Sequence, residues 1–307
     1  MKIFVLFNSD SLVVPALLKL KEMGLLAGVG ILRKNHKRLK PALEAIDLDF
    51  KPLLLERKDW QQRLKTCLTE REIDTVWVLT FPWIIPSDLL NHPPKGFLNF
   101  HFGLLPKYKG ADPIFWQFKN KETEGGLTVH LMTEAVDEGP VLFQEKIRII
   151  PGETAGFHCM NLGNATPNWL NQIVETHGKE QPEYLDLPSP DEVYDKKPSE
   201  EDLTINWQKQ SAEDIEFMVN GANPGLGGVK TSIANVPMHV IEVTPVDLDG
   251  EVKAEPGQIV HADATFGIVV YCADGASVRI TIVRTREGYL SGVKLFNLGF
   301  TPGHKFD

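Results

Sequence analysis

The sequence predicts an α/β protein. A doubly wound, mostly parallel, Rossmann-like sheet is expected in a domain over residues 1–180, and a smaller C-terminal β-barrel, OB-like, over 202–307. Three observations carry that prediction. Through the first half, short apolar runs alternate with stretches whose apolar residues recur at helical spacing, the pattern of βαβ units. Residues 181–201 lose the periodicity and are rich in proline and charge, as a linker is. From Asp202 onwards, short β-branched runs such as Ile268-Val269-Val270-Tyr271 and Val278-Arg279-Ile280-Thr281-Ile282 are separated by glycine and turn residues, which suits a small barrel.

The elements follow in order. Ile3 to Phe7 is an apolar strand, and Asn8-Ser9-Asp10 can cap a helix running to about Met23, with Pro15 tolerable only near its first turn. Leu26 to Leu32 and Lys51 to Leu55 read as strands, Trp60 to Arg71 as a helix and Thr75 to Leu79 as a fully apolar strand. The loop Thr80 to Pro86 is apolar and holds two prolines, so packing beneath the sheet end is its plainer reading. A strand then carries Asn99 and His101, Pro113 to Lys119 is a short helix, and Gly126 to Met132 and Val141 to Ile150 are strands. Helical spacing resumes from Glu153 to His177, and again from Ser211 to Asn220 after the linker.

Composition excludes several classes. The chain has 307 residues, 42% hydrophobic and 24% charged, with net charge −9 and pI about 5.5, so a wholesale basic nucleic-acid surface is not expected. Cys67, Cys159 and Cys272 are widely spaced, which suggests neither a disulfide framework nor a zinc site. The first apolar run is too short for a secretion signal and no later run approaches membrane-spanning length, so a cytoplasmic protein without membrane contact is expected. The first turn, Phe7 to Ser11, lacks a glycine-rich phosphate cradle, which argues against a dinucleotide or ATP. One local exception to the acidic charge is Arg33-Lys34-Asn35-His36-Lys37-Arg38-Leu39-Lys40, five positive charges in eight residues. It reads either as a solvated loop or as a phosphate-contacting cluster.

Chemistry concentrates around Asn99. Side chains alternate along a strand, so Asn99 and His101 face one way while Leu98, Phe100 and Phe102 face the other. An amide offers fixed donors for a developing oxyanion and an imidazole moves a proton near neutral pH, a pairing that suits acyl-type transfer. A hydrogen-bonded core pair is the competing reading. Downstream, the loop Thr133 to Pro140 supplies a carboxylate, Asp137, of the kind that orients an imidazole.

Asn99-x-His101, the turn Leu104-Leu105-Pro106-x-Tyr108-x-Gly110 and Asp137-x-Gly139 together resemble the formyltransferase family that uses 10-formyltetrahydrofolate. The likeness continues through Ile205-Asn206-Trp207, Ala222-Asn223-Pro224, Pro256-Gly257 and Gly292 to Gly299, which are similar to the C-terminal domain of the methionyl-tRNA formyltransferases. The resemblance implies 10-formyltetrahydrofolate as co-substrate, no metal, and initiator tRNA as partner. It implies that Asn99 donates to the oxyanion, that His101 stabilises it and carries a proton, and that Asp137 orients His101 and takes the proton lost by the amine. Phe81, Trp83, Ile84, Leu104, Leu105, Pro106 and Asp137 are then expected to bind the folate, and Arg33, Lys34, Lys37 and Arg38 the acceptor. His92, His130 and the other histidines are expected to be structural. Gly103 stands where the family usually has Ser, Lys109 where it usually has Arg, and Asn220 where the tRNA enzymes tend to show Arg. An amino sugar nucleotide or a carrier-bound amine therefore stays open as acceptor, as does a non-catalytic RNA- or folate-binding relative.

Overall fold

The computed structural model describes residues 1–187, 194–248 and 253–307, so residues 188–193 of the expected linker lie outside the described residues. In chain order β1 (Ile3–Phe7), α1 (Val14–Glu22), β2 (Leu26–Leu32), α2 (His36–Ile46), β3 (Leu53–Leu55), α3 (Trp60–Glu70), β4 (Thr75–Leu79), α4 (Ser87–Leu90) and β5 (Phe97–His101) alternate. Next come β6 (Lys109–Gly110), α5 (Pro113–Lys119), β7 (Glu124–Leu131), β8 (Val141–Arg148), α6 (Ala155–Ala165), α7 (Leu170–Gly178) and β9 (Tyr194–Asp195). After α8 (Ala212–Ala222) follow β10 (Val229–Ile233), β11 (Val236–Val246), β12 (Ile259–Asp263), β13 (Gly267–Tyr271), β14 (Ser277–Thr285), β15 (Gly288–Ser291) and α9 (Gly292–Asn297). Among the described residues no helix is long and apolar enough to cross a membrane.

The first sheet has the order β3-β2-β1-β4-β5-β7-β8. Its first five strands are parallel, and β7 and β8 run antiparallel to their neighbours. Every residue of β1 is fully buried, as a central strand covered on both faces must be, which is why its sequence is continuously apolar rather than alternating. Strand order reverses at β1, with β2 on one side and β4 on the other. A ligand crevice in an open α/β sheet forms at the carboxyl ends of strands beside such a reversal. Two lysines close helix ends here: Lys21 Nζ donates to the Ile46 carbonyl at 3.0 Å, and Lys95 Nζ to that of Gly178 at 3.1 Å. Each supplies positive charge where carbonyls lack intrahelical partners.

Two elements differ from expectation. Helix α1 begins at Val14 rather than beside Asn8-Ser9-Asp10, because Pro15 must occupy the first helical turn; the Asp10 carbonyl accepts from Val13 and Val14 N–H instead. Residues 33–40 are not a loop. Arg33–Asn35 form a 3₁₀ turn that leads into α2, where Leu39, Leu43 and Ile46 are buried at helical spacing under the charged face.

The chain divides into two compact units, residues 1–110, 124–148 and 159–194 in one and 111–123, 149–158 and 195–307 in the other. In the second unit the antiparallel order is β10-β11-β14-β13-β12, with β15 on the free side of part of β14. The two edges of that ladder are linked through residues near 306: Phe306 bridges Ile233 at the end of β10, and Lys305 bridges Gln258 just before β12. Trp207 lies in the core, stacked on Phe306 at 5.4 Å, with its indole N–H donated to Thr231 Oγ1 at 2.9 Å. Helix α8 carries a reciprocal capping box between Ser211 and Asp214. Phe115 of α5 joins this core, and Phe118 forms a further cluster with Ile149 and Ala155.

Candidate active site

The site grows from the register of two strands. Asn99 of β5 lies opposite His130 of β7, and His101 opposite Thr128. Alternation puts these four polar side chains on one face, with Leu98, Phe100, Leu127 and Val129 buried on the other. Thr128 in turn lies opposite Gln144 of β8. This inner row holds the turn after β5. Thr128 Oγ1 donates to the Gly103 carbonyl at 2.6 Å and accepts from Leu105 N–H at 3.2 Å, while Gln144 Nε2 donates to the Leu105 carbonyl at 2.8 Å. Leu104 lies over Gly126, where a Cβ would come within 2.5 Å of the leucine Cδ2.

The carboxylate arrives from the loop after β7. That loop returns so close to its own strand that a Cβ on Gly139 would sit 1.7 Å from the Leu131 carbonyl oxygen, which explains the glycine two residues after Asp137. Asp137 is 8% exposed and has φ of 56°, in the left-handed region that few residues other than glycine, asparagine and aspartate enter. Its Oδ2 accepts the Gly110 N–H at 2.8 Å and its Oδ1 accepts an Asn99 amide hydrogen at 3.0 Å. His130 Nε2 is 3.3 Å from Oδ1, and His101 Nδ1 is 3.6 Å from Oδ2. On its other side, His101 Nε2 donates to the carbonyl of Tyr108, another left-handed residue (φ 60°), at 2.7 Å.

Protonation follows from these contacts. Burial raises the cost of charging Asp137, but the neighbouring His130 and His101 rings and the Gly110 N–H together outweigh it and bring its pKa down to about 2. Burial lowers the His101 pKa, with Asp137 opposing. Near neutral pH the carboxylate is thus an anion and the His101 ring neutral, its Nε2–H fixed on Tyr108 and its proton-free Nδ1 turned towards Oδ2. One proton can be taken up between them. The Asn99 amide spends both its hydrogens, one on Asp137 and one on His130 Nε2 at 3.1 Å, while His130 Nδ1 donates to the Leu131 carbonyl at 3.1 Å.

Asn99, His101 and Asp137 are therefore gathered in one buried cluster. His130, expected to be structural, belongs to it. The signal was available, since Thr128-x-His130 repeats the alternation of Asn99-x-His101, but it becomes legible only once β5 and β7 are known to pair. Leu105 is buried in the turn beside the cluster, with Leu104 and Pro106 partly covered on either side. Phe81 and Trp83 extend from the carboxyl end of β4 and stack on Trp60, at 5.8 and 5.4 Å, and on each other; Ile84 is 68% exposed. Arg33 is paired with Glu56, and Arg38 donates to the Asn8 carbonyl at 2.5 Å and faces Asp10 at 3.7 Å. Lys34 and Lys37 are exposed and have no ion-pair partner among the described residues.

The family described as formyl transferase matches residues 1–174, and its C-terminal domain matches residues 197–300. A methionyl-tRNA formyltransferase of Pelotomaculum thermopropionicum is 31% identical over 228 residues, 73% of this chain and 69% of the relative. HypX from Aquifex aeolicus, solved in complex with tetrahydrofolic acid, superposes with a TM-score of 0.70 at 15% identity over 96% of this chain. This chain spans about half of that protein's length, 47%. WlaRD, a sugar 3N-formyl transferase, superposes with a TM-score of 0.63 at 18% identity, over 91% of this chain and 96% of its own. At those identities the two structures share the fold.

Proposed function

The chain belongs to the formyltransferase family, and from that membership we propose that it transfers a formyl group from 10-formyltetrahydrofolate to the amino group of methionyl-initiator tRNA. The observation that carries the acceptor is the similarity to the P. thermopropionicum relative, itself named a methionyl-tRNA formyltransferase. The cluster suits a formyl donor: an amide, an imidazole and a carboxylate meet beside the apolar turn Leu104-Leu105-Pro106. This reading implies a cytoplasmic enzyme.

Attack of an amine on a formyl carbon puts negative charge on the formyl oxygen, releases a proton from the amine and delivers one to the departing folate nitrogen. Asn99 turns one amide hydrogen from His130 or Asp137 to that oxygen. Such a donor acts where charge develops, in a site that excludes water. Asp137 and His101 take the amine proton into the gap between Oδ2 and Nδ1. Because the acceptor pair starts as anion plus neutral ring, it gains a proton without adding net positive charge to a buried site. His101 then passes a proton towards the folate nitrogen. Leu104, Leu105 and Pro106 form an apolar wall for the heterocycle, with Phe81, Trp83 and Ile84 at the neighbouring strand end.

A second reading, an amino sugar nucleotide as acceptor, is favoured by one observation. Arg33 and Arg38 are already engaged by Glu56 and Asp10, so the basic cluster offers fewer free charges to a polynucleotide than its sequence implies. The deciding experiment measures formyl transfer from 10-formyltetrahydrofolate to charged initiator tRNA against a panel of amino sugar nucleotides. Transfer to tRNA alone supports the first reading, and transfer to a sugar alone replaces it with the second.

A further inference from the structure

One ionisable side chain packed against the cluster has no task in the reaction above. Lys109 has a side chain 6% exposed, and its ammonium meets Glu138 Oε1 at 2.9 Å, Glu138 itself being 52% exposed. A buried ammonium is costly to desolvate, and an apolar side chain of similar volume at such a site is often no less stable. Its neighbours indicate what the ion pair accomplishes. Tyr108 accepts from His101, Lys109 pairs with Glu138, and Gly110 donates to Asp137. Three consecutive residues of one turn thus grip the imidazole and two consecutive residues of the facing loop. Tyr108 and Asp137 both hold left-handed conformations, and the bulky tyrosine keeps one only where its surroundings fix it.

We propose that Lys109 and Glu138 are positioning residues: their ion pair locks the 108–110 turn to the 137–139 loop, so that the Gly110 N–H and the Tyr108 carbonyl keep Asp137 and His101 in register for proton transfer. The inference rests on the formyltransferase reading of that cluster. Without the lock, the turn and loop separate by a fraction of an ångström, Asp137 loses the Gly110 hydrogen bond, and the carboxylate becomes easier to protonate.

The test uses the full chain with Lys109→Met, which keeps the apolar stem, Lys109→Arg, which keeps the charge, and Glu138→Gln. Among the described residues the titratable groups facing Asp137 are His101 from β5, His130 from β7 and Tyr194 from β9, while Lys109 and Glu138 pair with each other beside it. Two readouts are taken: the Asp137 carboxyl titration followed by NMR, which needs no turnover, and kcat and folate KM for formyl transfer. In Lys109→Met the Asp137 titration moves to higher pH and kcat falls by on the order of 10²-fold with folate KM unchanged, the effect of a misplaced catalytic group. Glu138→Gln shifts both in the same sense, and Lys109→Arg restores both. A merely structural lysine would lower the melting temperature of Lys109→Met yet leave the Asp137 titration and kcat at the parental values, and that result overturns the proposal. A parent that formylates no amine while Lys109→Met still moves the titration refutes the reaction and leaves the positioning role standing.

Discussion

Replacing Asn99 by alanine tests the site most directly, because the structure assigns both amide hydrogens. The change removes the donor to Asp137 Oδ1 at 3.0 Å and the donor to His130 Nε2 at 3.1 Å. Loss of one oxyanion donor costs roughly 10²–10³ in turnover, about 3–4 kcal/mol of transition-state stabilisation. Stability should fall as well. Asp137 keeps the Gly110 N–H on Oδ2, but its Oδ1 and His130 Nε2 each lose their amide donor, so the penalty is that of two buried acceptors left short, about 1–3 kcal/mol each. The assay is single-turnover formyl transfer to charged initiator tRNA, run beside a urea unfolding curve. Asn99→Asp is the companion variant: it keeps the shape, removes the donor and sets a second carboxylate against Asp137, so it should be at least as slow as alanine. If Asn99→Ala retained parental turnover, neither the oxyanion role nor the transfer chemistry built on it would survive.

Three further outcomes are expected. His101→Ala and Asp137→Ala should each lose activity comparably and combine far less than additively, because they hold one proton path; a double variant whose loss equals the product of the two would refute the shared path. His177, which donates to Thr75 Oγ1 at 2.9 Å, has its pKa pushed down to about 4 by burial and then by Lys95. The unfolded chain therefore binds a proton that the folded chain refuses between roughly pH 6.5 and 4, so stability declines as pH falls through that window, by up to about 3 kcal/mol. His177→Gln should flatten that decline in urea midpoints measured at pH 7 and 4.5, and an unchanged decline would exonerate the residue. Replacing Lys34, Lys37 and Arg38 with Glu should weaken tRNA use and reduce the log–log salt slope of kcat/KM by roughly 0.7–0.9 per lost phosphate contact, with folate affinity unaffected. A parental slope would reduce the cluster to a solvated helix face.

Legibility in the sequence tracked how local each determinant is. Strand β1 and strand β4 announce themselves as apolar runs because burial on both faces leaves no room for polar residues. Asn99-x-His101 stands out for the same reason, as polar residues in a strand that is otherwise buried. His130 and Gln144 did not stand out, since their membership of the polar face depends on pairing across three strands and not on their own neighbours. Helix α2 was hidden by its charge: five cations in eight residues mask the spacing of Leu39, Leu43 and Ile46. The engagement of Arg33 by Glu56 joins residues 23 positions apart, which no local pattern reveals.

Residues 111–123 and 149–158 precede the C-terminal family match in sequence yet belong to its compact unit, where Phe115, Phe118, Ile149 and Ala155 supply core. The consequence is for recombination. A single genetic crossover near residue 180 would hand the second unit a foreign pair of core segments and leave its own behind, so a chimaera joined there carries mismatched cavities and overpacked rings. A laboratory shuffle keeps this core intact only if it transplants all three pieces together.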